Sequence, residues 1–182
     1  MGKLGIFFAE GCEEIEGLTV VDVLRRAKME VVSISITKEK MITGSHNIRF
    51  ETDELYENVD FTEYDGIILP GGMPGTTHLG AHAGVNKQIK VFFESGKLVA
   101  AICAAPSVLG AAGILKGKKA TCHPGFEEKL TGAIVMAEKV VTDENVITSR
   151  GMGTAIDFGL AIVSYYGTNE LLEDVKKHLV YA

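Results

Sequence analysis

Four short strand-like runs constrain this chain more than any other feature. They are Lys3–Ala9 (KLGIFFA), Val31–Ile36 (VVSISI), Tyr64–Leu69 (YDGIIL) and Leu98–Ile102 (LVAAI). Each is too short for a helix, and between them the apolar spacing switches to a helical period. A turn at Gly11-Cys12-Glu13-Glu14 leads into a helix to about Lys28. Ala83–Ser95 repeats apolar residues at Val85, Ile89, Phe92 and Phe93, and a third helix follows from Pro106 to about Ala112. Strands alternating with helices predict an α/β fold with a doubly wound, mostly parallel sheet. Leu98–Ile102 carries no polar side chain, as expected of a strand covered on both faces.

The remaining elements fit that plan. Ile48–Thr52 reads as a short strand and Leu55–Val59 as a loop. Val140–Thr142 and Val146–Thr148, joined at Asp143-Glu144-Asn145, read as an edge hairpin. Gly153–Tyr166 is a helix apolar nearly all round, hence covered. The more charged Asn169–His178 is expected outside. No repeat, linker or low-complexity stretch interrupts the 182 residues, so one domain over 1–182 is expected.

Composition removes several function classes. The net charge of −6 disfavours nucleic acid as a partner. The local Lys116, Lys118 and Lys119 cluster reads as a solvated turn. No apolar run approaches the ~20 residues that span a bilayer, and the N-terminus lacks the pattern of a signal peptide. Three cysteines, Cys12, Cys103 and Cys122, do not make a disulfide framework. A cytoplasmic protein with free thiols is the expectation.

In doubly wound sheets ligands bind beyond the carboxyl ends of the strands. Attention therefore falls on Cys12–Glu16, Gly71–Gly75, Cys103–Ala105 and Ser149–Gly153. Cys103 stands where a buried strand meets a helix, the geometry of a nucleophile elbow. The helix N-terminus there would favour a thiolate, although a small inert core residue fits the segment equally well. Glu16 falls among Val20, Val23 and Ala27 on an apolar helical face, whereas Glu13 and Glu14 read as ordinary first-turn acids. A desolvated Glu16 would hold its proton and could pass it on; alternatively, it is a first-turn acid that reaches solvent. Gly71 and Gly72, in Leu69-Pro70-Gly71-Gly72-Met73-Pro74-Gly75, offer backbone N–H groups for an oxyanion. A second turn, Ser149–Thr154, offers Met152 as a further substrate contact, or is simply a helix start with a structural Arg150. His123 follows a short strand and could reach Cys103. His78 and His82, at i and i+4, have no third ligand in view, so no metal is expected; His46 suggests no chemistry.

GCEEIE, LPGGMPG, AAICAAP, CHP and TSRGMGT, in this order and spacing, resemble the ThiJ/PfpI superfamily, in the branch of the Parkinson's-disease-associated deglycase and its bacterial ThiJ-like relatives. The resemblance spans essentially the whole chain. It implies a flavodoxin-like three-layer sandwich, a homodimer and no cofactor. It implies Cys103 as nucleophile, Glu16 as the buried acid beside it, His123 nearby, and Gly72 and Ala104 as backbone donors. The activities implied are conversion of methylglyoxal-type 2-oxoaldehydes to hydroxy acids, deglycation of their adducts, and redox sensing with chaperone-like behaviour. Met73 departs from an Asn, His46 from an interface Arg, and Glu51 from a peripheral cysteine. A PfpI-type peptidase would carry His after the cysteine, where Ala104 stands. A glutamine amidotransferase would need His-x-Glu, where His123-Pro124-Gly125 stands. A non-enzymatic sensor that oxidises Cys103 remains the alternative. The first helix also predicts the dimer: Ile15, Leu18, Val20, Val21, Val23, Leu24 and Ala27 point almost all round its axis, leaving only a narrow polar stripe at Thr19, Asp22 and Arg26, and one side lacks an evident cover.

Overall fold

The computed structural model describes residues 2–181. In chain order the elements are β1 (Lys3–Phe8), α1 (Glu14–Arg26), β2 (Glu30–Ser35), β3 (Met41–Thr43), β4 (Arg49–Glu51), β5 (Glu54–Leu55), β6 (Tyr64–Leu69), α2 (Gly75–Ala81), α3 (Ala83–Glu94), β7 (Leu98–Ile102), α4 (Pro106–Ala111), β8 (Lys119–Ala120), β9 (Ile134–Val135), β10 (Val140–Asp143), β11 (Val146–Ser149), α5 (Ala155–Tyr166) and α6 (Asn169–His178). The main sheet runs β10-β11-β7-β6-β1-β2-β5. All its pairings are parallel except that of β10 with β11, which forms the antiparallel edge. The four strands that organise the sequence are neighbours at its centre.

Alternation along these strands builds two cores. Leu4, Ile6 and Phe8 of β1, with Leu98, Ala100 and Ile102 of β7, join α1, α5 and Val175 of α6 on one face. Phe7, Val99 and Ala101 join α2, α3 and α4 on the other. The result is the three-layer sandwich of a flavodoxin-like fold. The order of strand addition reverses at β1, whose parallel neighbours are β2 on one side and β6 on the other. The crevice at this switch point lies at the carboxyl edge, where a ligand site belongs.

Two expectations need correction. The outer side of α1 has a cover in its own chain: α5 packs along it so closely that a Cβ on Gly159 would lie 3.0 Å from Val23 Cβ. An almost wholly apolar α5 can bury one face on the sheet and give another to α1. Of the apolar girdle only Ile15 and Leu18 remain exposed. Second, Glu14 is not a solvated first-turn acid. The β3–β4 hairpin folds over the start of α1, and Glu14 is 2% exposed, its Oε1 accepting the N–H groups of His46 at 2.8 Å and Ile48 at 3.3 Å. The predicted strand around Ile48–Thr52 is β4 of that hairpin and lies outside the main sheet.

Candidate active site

Four loops leave the carboxyl ends of adjacent strands β1, β6, β7 and β11 and meet at Cys103. Cys103 itself takes φ 65°, a left-handed conformation that a non-glycine residue adopts only when its surroundings impose it. The imposing contacts are backbone ones. Cys103 N–H donates to the Ser149 carbonyl at 3.0 Å, and the Cys103 carbonyl accepts His123 N–H at 2.8 Å. The turn throws the thiol out of the sheet, half-buried, with the backbone N–H groups of Gly72 and Ala104 close enough to favour its thiolate.

Glu16 approaches from the first turn of α1 and is 1% exposed. Its Oε2 accepts Gly71 N–H at 2.9 Å, and its carboxyl pairs with the Cys103 thiol. The loop passes between them only because residue 71 is glycine: a Cβ there would lie 2.6 Å from Cys103 Cβ and 2.7 Å from Glu16 Oε2. Gly71 was expected among the oxyanion donors. Its N–H is instead engaged by the acid, which makes it a positioning group.

Burial pushes the Glu16 carboxyl up to about 7, against the opposing pull of its hydrogen bonds to Cys103 and Gly71. Burial, followed by the negative charge of Glu16, pushes the Cys103 thiol up to about 12, while the Gly72 and Ala104 N–H groups favour the thiolate. A helix N-terminus alone therefore does not set the state of this cysteine; desolvation outweighs it. The two groups titrate as a pair. Below about pH 7 both are protonated; above it they hold one proton between them, as thiol with carboxylate or as thiolate with carboxylic acid.

His123 is exposed, and its Nδ1 lies 2.9 Å from the Pro124 carbonyl. A carbonyl only accepts, so Nδ1 carries the proton in the neutral ring and Nε2 keeps a free lone pair. The convergence of the three side chains is clearest at Gly151. A Cβ on Gly151 would sit 3.5 Å from His123 Cδ2, 3.8 Å from Glu16 Oε1 and 3.9 Å from Cys103 Sγ. One carbon-sized space thus touches thiol, acid and imidazole at van der Waals distance. Gly151 adopts φ 158° and ψ −168°, a corner of conformational space that essentially belongs to glycine.

A sequence model of the DJ-1/PfpI family matches residues 3–165. This chain belongs to the DJ-1/PfpI family. It is 38% identical over 174 residues to protein DJ-1 homolog B of Arabidopsis thaliana, covering 94% of this chain and 40% of that protein. It therefore spans well under half of that longer relative. It is 35% identical to the glutathione-independent glyoxalase DJR-1.2 of Caenorhabditis elegans, covering 95% of this chain and 92% of that one. Among solved structures, oxidized DJ-1 of Toxoplasma gondii superposes with a TM-score of 0.96 at 33% identity, covering 100% of both chains.

Beyond this DJ-1/PfpI elbow the other sequence candidates have different employment. Met152, read as a substrate contact, is 54% exposed on the turn after Gly151; the residue of that turn that borders the three side chains is Gly151. Its signal was only its place after β11. His82 Nδ1 accepts Val85 N–H at 3.1 Å and caps α3, while His78 Nδ1 donates to the Glu10 carbonyl at 2.9 Å. These are separate structural duties and not a pair of ligands. Cys12 and Cys122 are buried, and burial raises their thiols to about 12 and about 11. Beside the elbow, Met73, Thr76, Ser107, Val108 and Phe126 line a groove of about 490 Å³, which does not include Cys103 itself. Among the described residues no helix is long and apolar enough to cross a membrane.

Proposed function

We propose that this protein is a cysteine-dependent, cofactor-free glyoxalase and deglycase that acts on methylglyoxal-type 2-oxoaldehydes or their adducts, with a role in oxidative stress. The observation that carries the reading is the carbon-sized space at Gly151, touched by Cys103 Sγ, Glu16 Oε1 and His123 Cδ2. A carbonyl carbon held there meets a nucleophile and a proton carrier at once. Family membership and the named glyoxalase relative in C. elegans support the choice of substrate class.

The chemistry needs no external oxidant. Glu16 holds the pair's proton while the Cys103 thiolate attacks the aldehyde carbon, forming a C–S bond. The resulting alkoxide is stabilised by the N–H groups of Gly72 and Ala104 and takes a proton, giving a hemithioacetal. Glu16, now a carboxylate, removes the hydrogen from that carbon as the neighbouring ketone oxygen gains a proton. Glu16 returns its proton to the former ketone carbon of the enediol so formed, and the hydroxyl on the sulfur-bearing carbon gives up its own proton, which balances the one the ketone oxygen took up. The aldehyde carbon is thereby oxidised and the ketone carbon reduced within one molecule, leaving a 2-hydroxyacyl thioester. Water, deprotonated with help from His123 Nε2, hydrolyses it to the hydroxy acid and restores the thiol. The groove beside Met73 and Ser107 gives an adduct room for its non-reacting part.

Lactate formation from methylglyoxal by the purified chain is the test. Cys103→Ala and Glu16→Gln should each abolish it. Full activity in either variant overturns the reading.

A second reading draws on one observation: Cys103 is half-buried, whereas Cys12 and Cys122 are enclosed. As a redox sensor, Cys103 would be oxidised by peroxide to sulfenic and then sulfinic acid, with protonated Glu16 donating to a sulfinate oxygen. Mass spectrometry after mild peroxide should find the added oxygen on Cys103 first; prior oxidation of Cys12 would count against it. Ile15 and Leu18 of α1, with Ile48 of the hairpin that packs on its start, leave apolar surface suited to a homodimer.

A further inference from the structure

The start of α1 and the β3–β4 hairpin bring together a second cluster that takes no part in the chemistry above. Glu13, Glu14 and His46 each bring one ligand atom, all within 4.8 Å of one another. His46 Nδ1 is 3.4 Å from Glu13 Oε2 and 3.3 Å from Glu14 Oε2. Ser45 Oγ stands over the same point, 3.2 Å from Glu13 Oε2, 3.4 Å from Glu14 Oε2 and 3.0 Å from His46 Nδ1. Four donors held about 2.0–2.1 Å from a tetrahedral zinc ion lie about 3.3–3.4 Å from each other. Five of the six edges of this tetrahedron are therefore near the length that zinc would set.

Charge and rigidity point the same way. Glu13 and Glu14 each have His46 as their one ion-pair partner among the described residues. Two carboxylates, one of them 2% exposed, thus share at most a single positive charge. The buried one is locked in place. Its Oε1 is held by the N–H groups of His46 and Ile48, which aims Oε2 at the cluster. A Cβ on Gly44 would lie 2.2 Å from Glu14 Cδ, so the hairpin makes way for this carboxylate only by having glycine there. Ligands oriented by such outer contacts bind metal with little reorganisation.

We infer that Glu13, Glu14 and His46, with Ser45 Oγ at the fourth vertex, form a zinc site that ties the β3–β4 hairpin to the N-terminus of α1. Nitrogen and oxygen donors in a four-coordinate set suit zinc; magnesium and calcium favour six or more oxygens. The site supplies no step to the Cys103 chemistry, although it adjoins it through Glu13, whose N–H donates to the Gly71 carbonyl at 2.9 Å.

The test uses the full chain in a Cys103→Ala background, stripped of metal, so that the reactive thiol does not bind the probe. Zinc titrated against a chromophoric chelator should bind one ion per chain and raise the melting temperature by several degrees. Cobalt in its place should give the intense visible bands of a tetrahedral ion without thiolate charge-transfer absorption. Glu13→Gln should weaken zinc binding at least ten-fold. His46→Arg keeps a cation between the carboxylates but cannot ligate; it should fold and melt independently of zinc. Zinc binding unchanged in His46→Arg would overturn the inference, as would thiolate absorption with cobalt. So would a wild-type cluster indifferent to zinc, which would make His46 only the carboxylates' counter-ion.

Discussion

At the scale of single residues, the fate of one proton dominates. Folding raises the Glu16 carboxyl from its ordinary 4.5 to about 7, chiefly through burial. The folded state therefore binds this proton more tightly than the unfolded chain. Its contribution to stability is full below about pH 4.5 and is lost as pH climbs through 7. A shift of this size corresponds to roughly 3 kcal/mol at most. Urea midpoints measured from pH 4.5 to 8 should fall in the wild type and stay flatter in Glu16→Gln; equal slopes would mean that Glu16 ionises as freely folded as unfolded. Cys103 and Glu16 were legible in the sequence because one ends an apolar strand and the other sits on an apolar helical face. The duties of Gly71 and Gly151 were not, because they depend on where a backbone N–H points and where a Cβ would fall. Glu14 misled for a related reason: helical periodicity assigns a face, but the hairpin that buries this residue comes from thirty residues further along.

Between elements, the contact that matters most is the close seam of α1 and α5. Gly159→Ala would gain about 1 kcal/mol of helix propensity. It would also force a Cβ to 3.0 Å from Val23 Cβ, and overpacking of this kind costs about 1–3 kcal/mol. The net effect should be destabilising in the wild type. In a Val23→Ala background the clash is removed, and the same change should become neutral or stabilising. Urea denaturation of the four proteins in this cycle decides it; a destabilisation unaffected by Val23→Ala would place the strain elsewhere. Helices and long strands were legible because their hydrophobic period is sustained. β3, β5, β8 and β9 run only two or three residues and exist through their pairing partners. The sequence hint at β4 gave a strand without saying that it leaves the main sheet.

For the whole molecule, we expect residues 1–182 to unfold as one cooperative unit, since both cores share the same sheet. Far-ultraviolet dichroism and tyrosine fluorescence should give coincident urea transitions; separated midpoints would divide the chain. The homodimer proposal now rests on a narrower surface than the sequence suggested, because α5 takes most of the α1 girdle. Ile15 is 48% exposed and Leu18 37%. Ile15→Glu with Leu18→Lys should yield a folded monomer by sedimentation equilibrium, while the parent sediments as a dimer at micromolar concentration. A parent already monomeric would leave those side chains as ordinary surface.

The peptide groups on either side of Cys103 are anchored by the Ser149 carbonyl and the His123 amide. Neither anchor involves the sulfur. The socket is thus separable from the atom it presents, and a lineage can trade nucleophiles without rebuilding the sheet edge around them. What the socket restricts is shape: at φ 65° a serine, asparagine or aspartate is accommodated with modest strain, whereas a β-branched valine or threonine is not. Chemical drift at this position has an open door toward small unbranched polar side chains and a closed one toward branched ones.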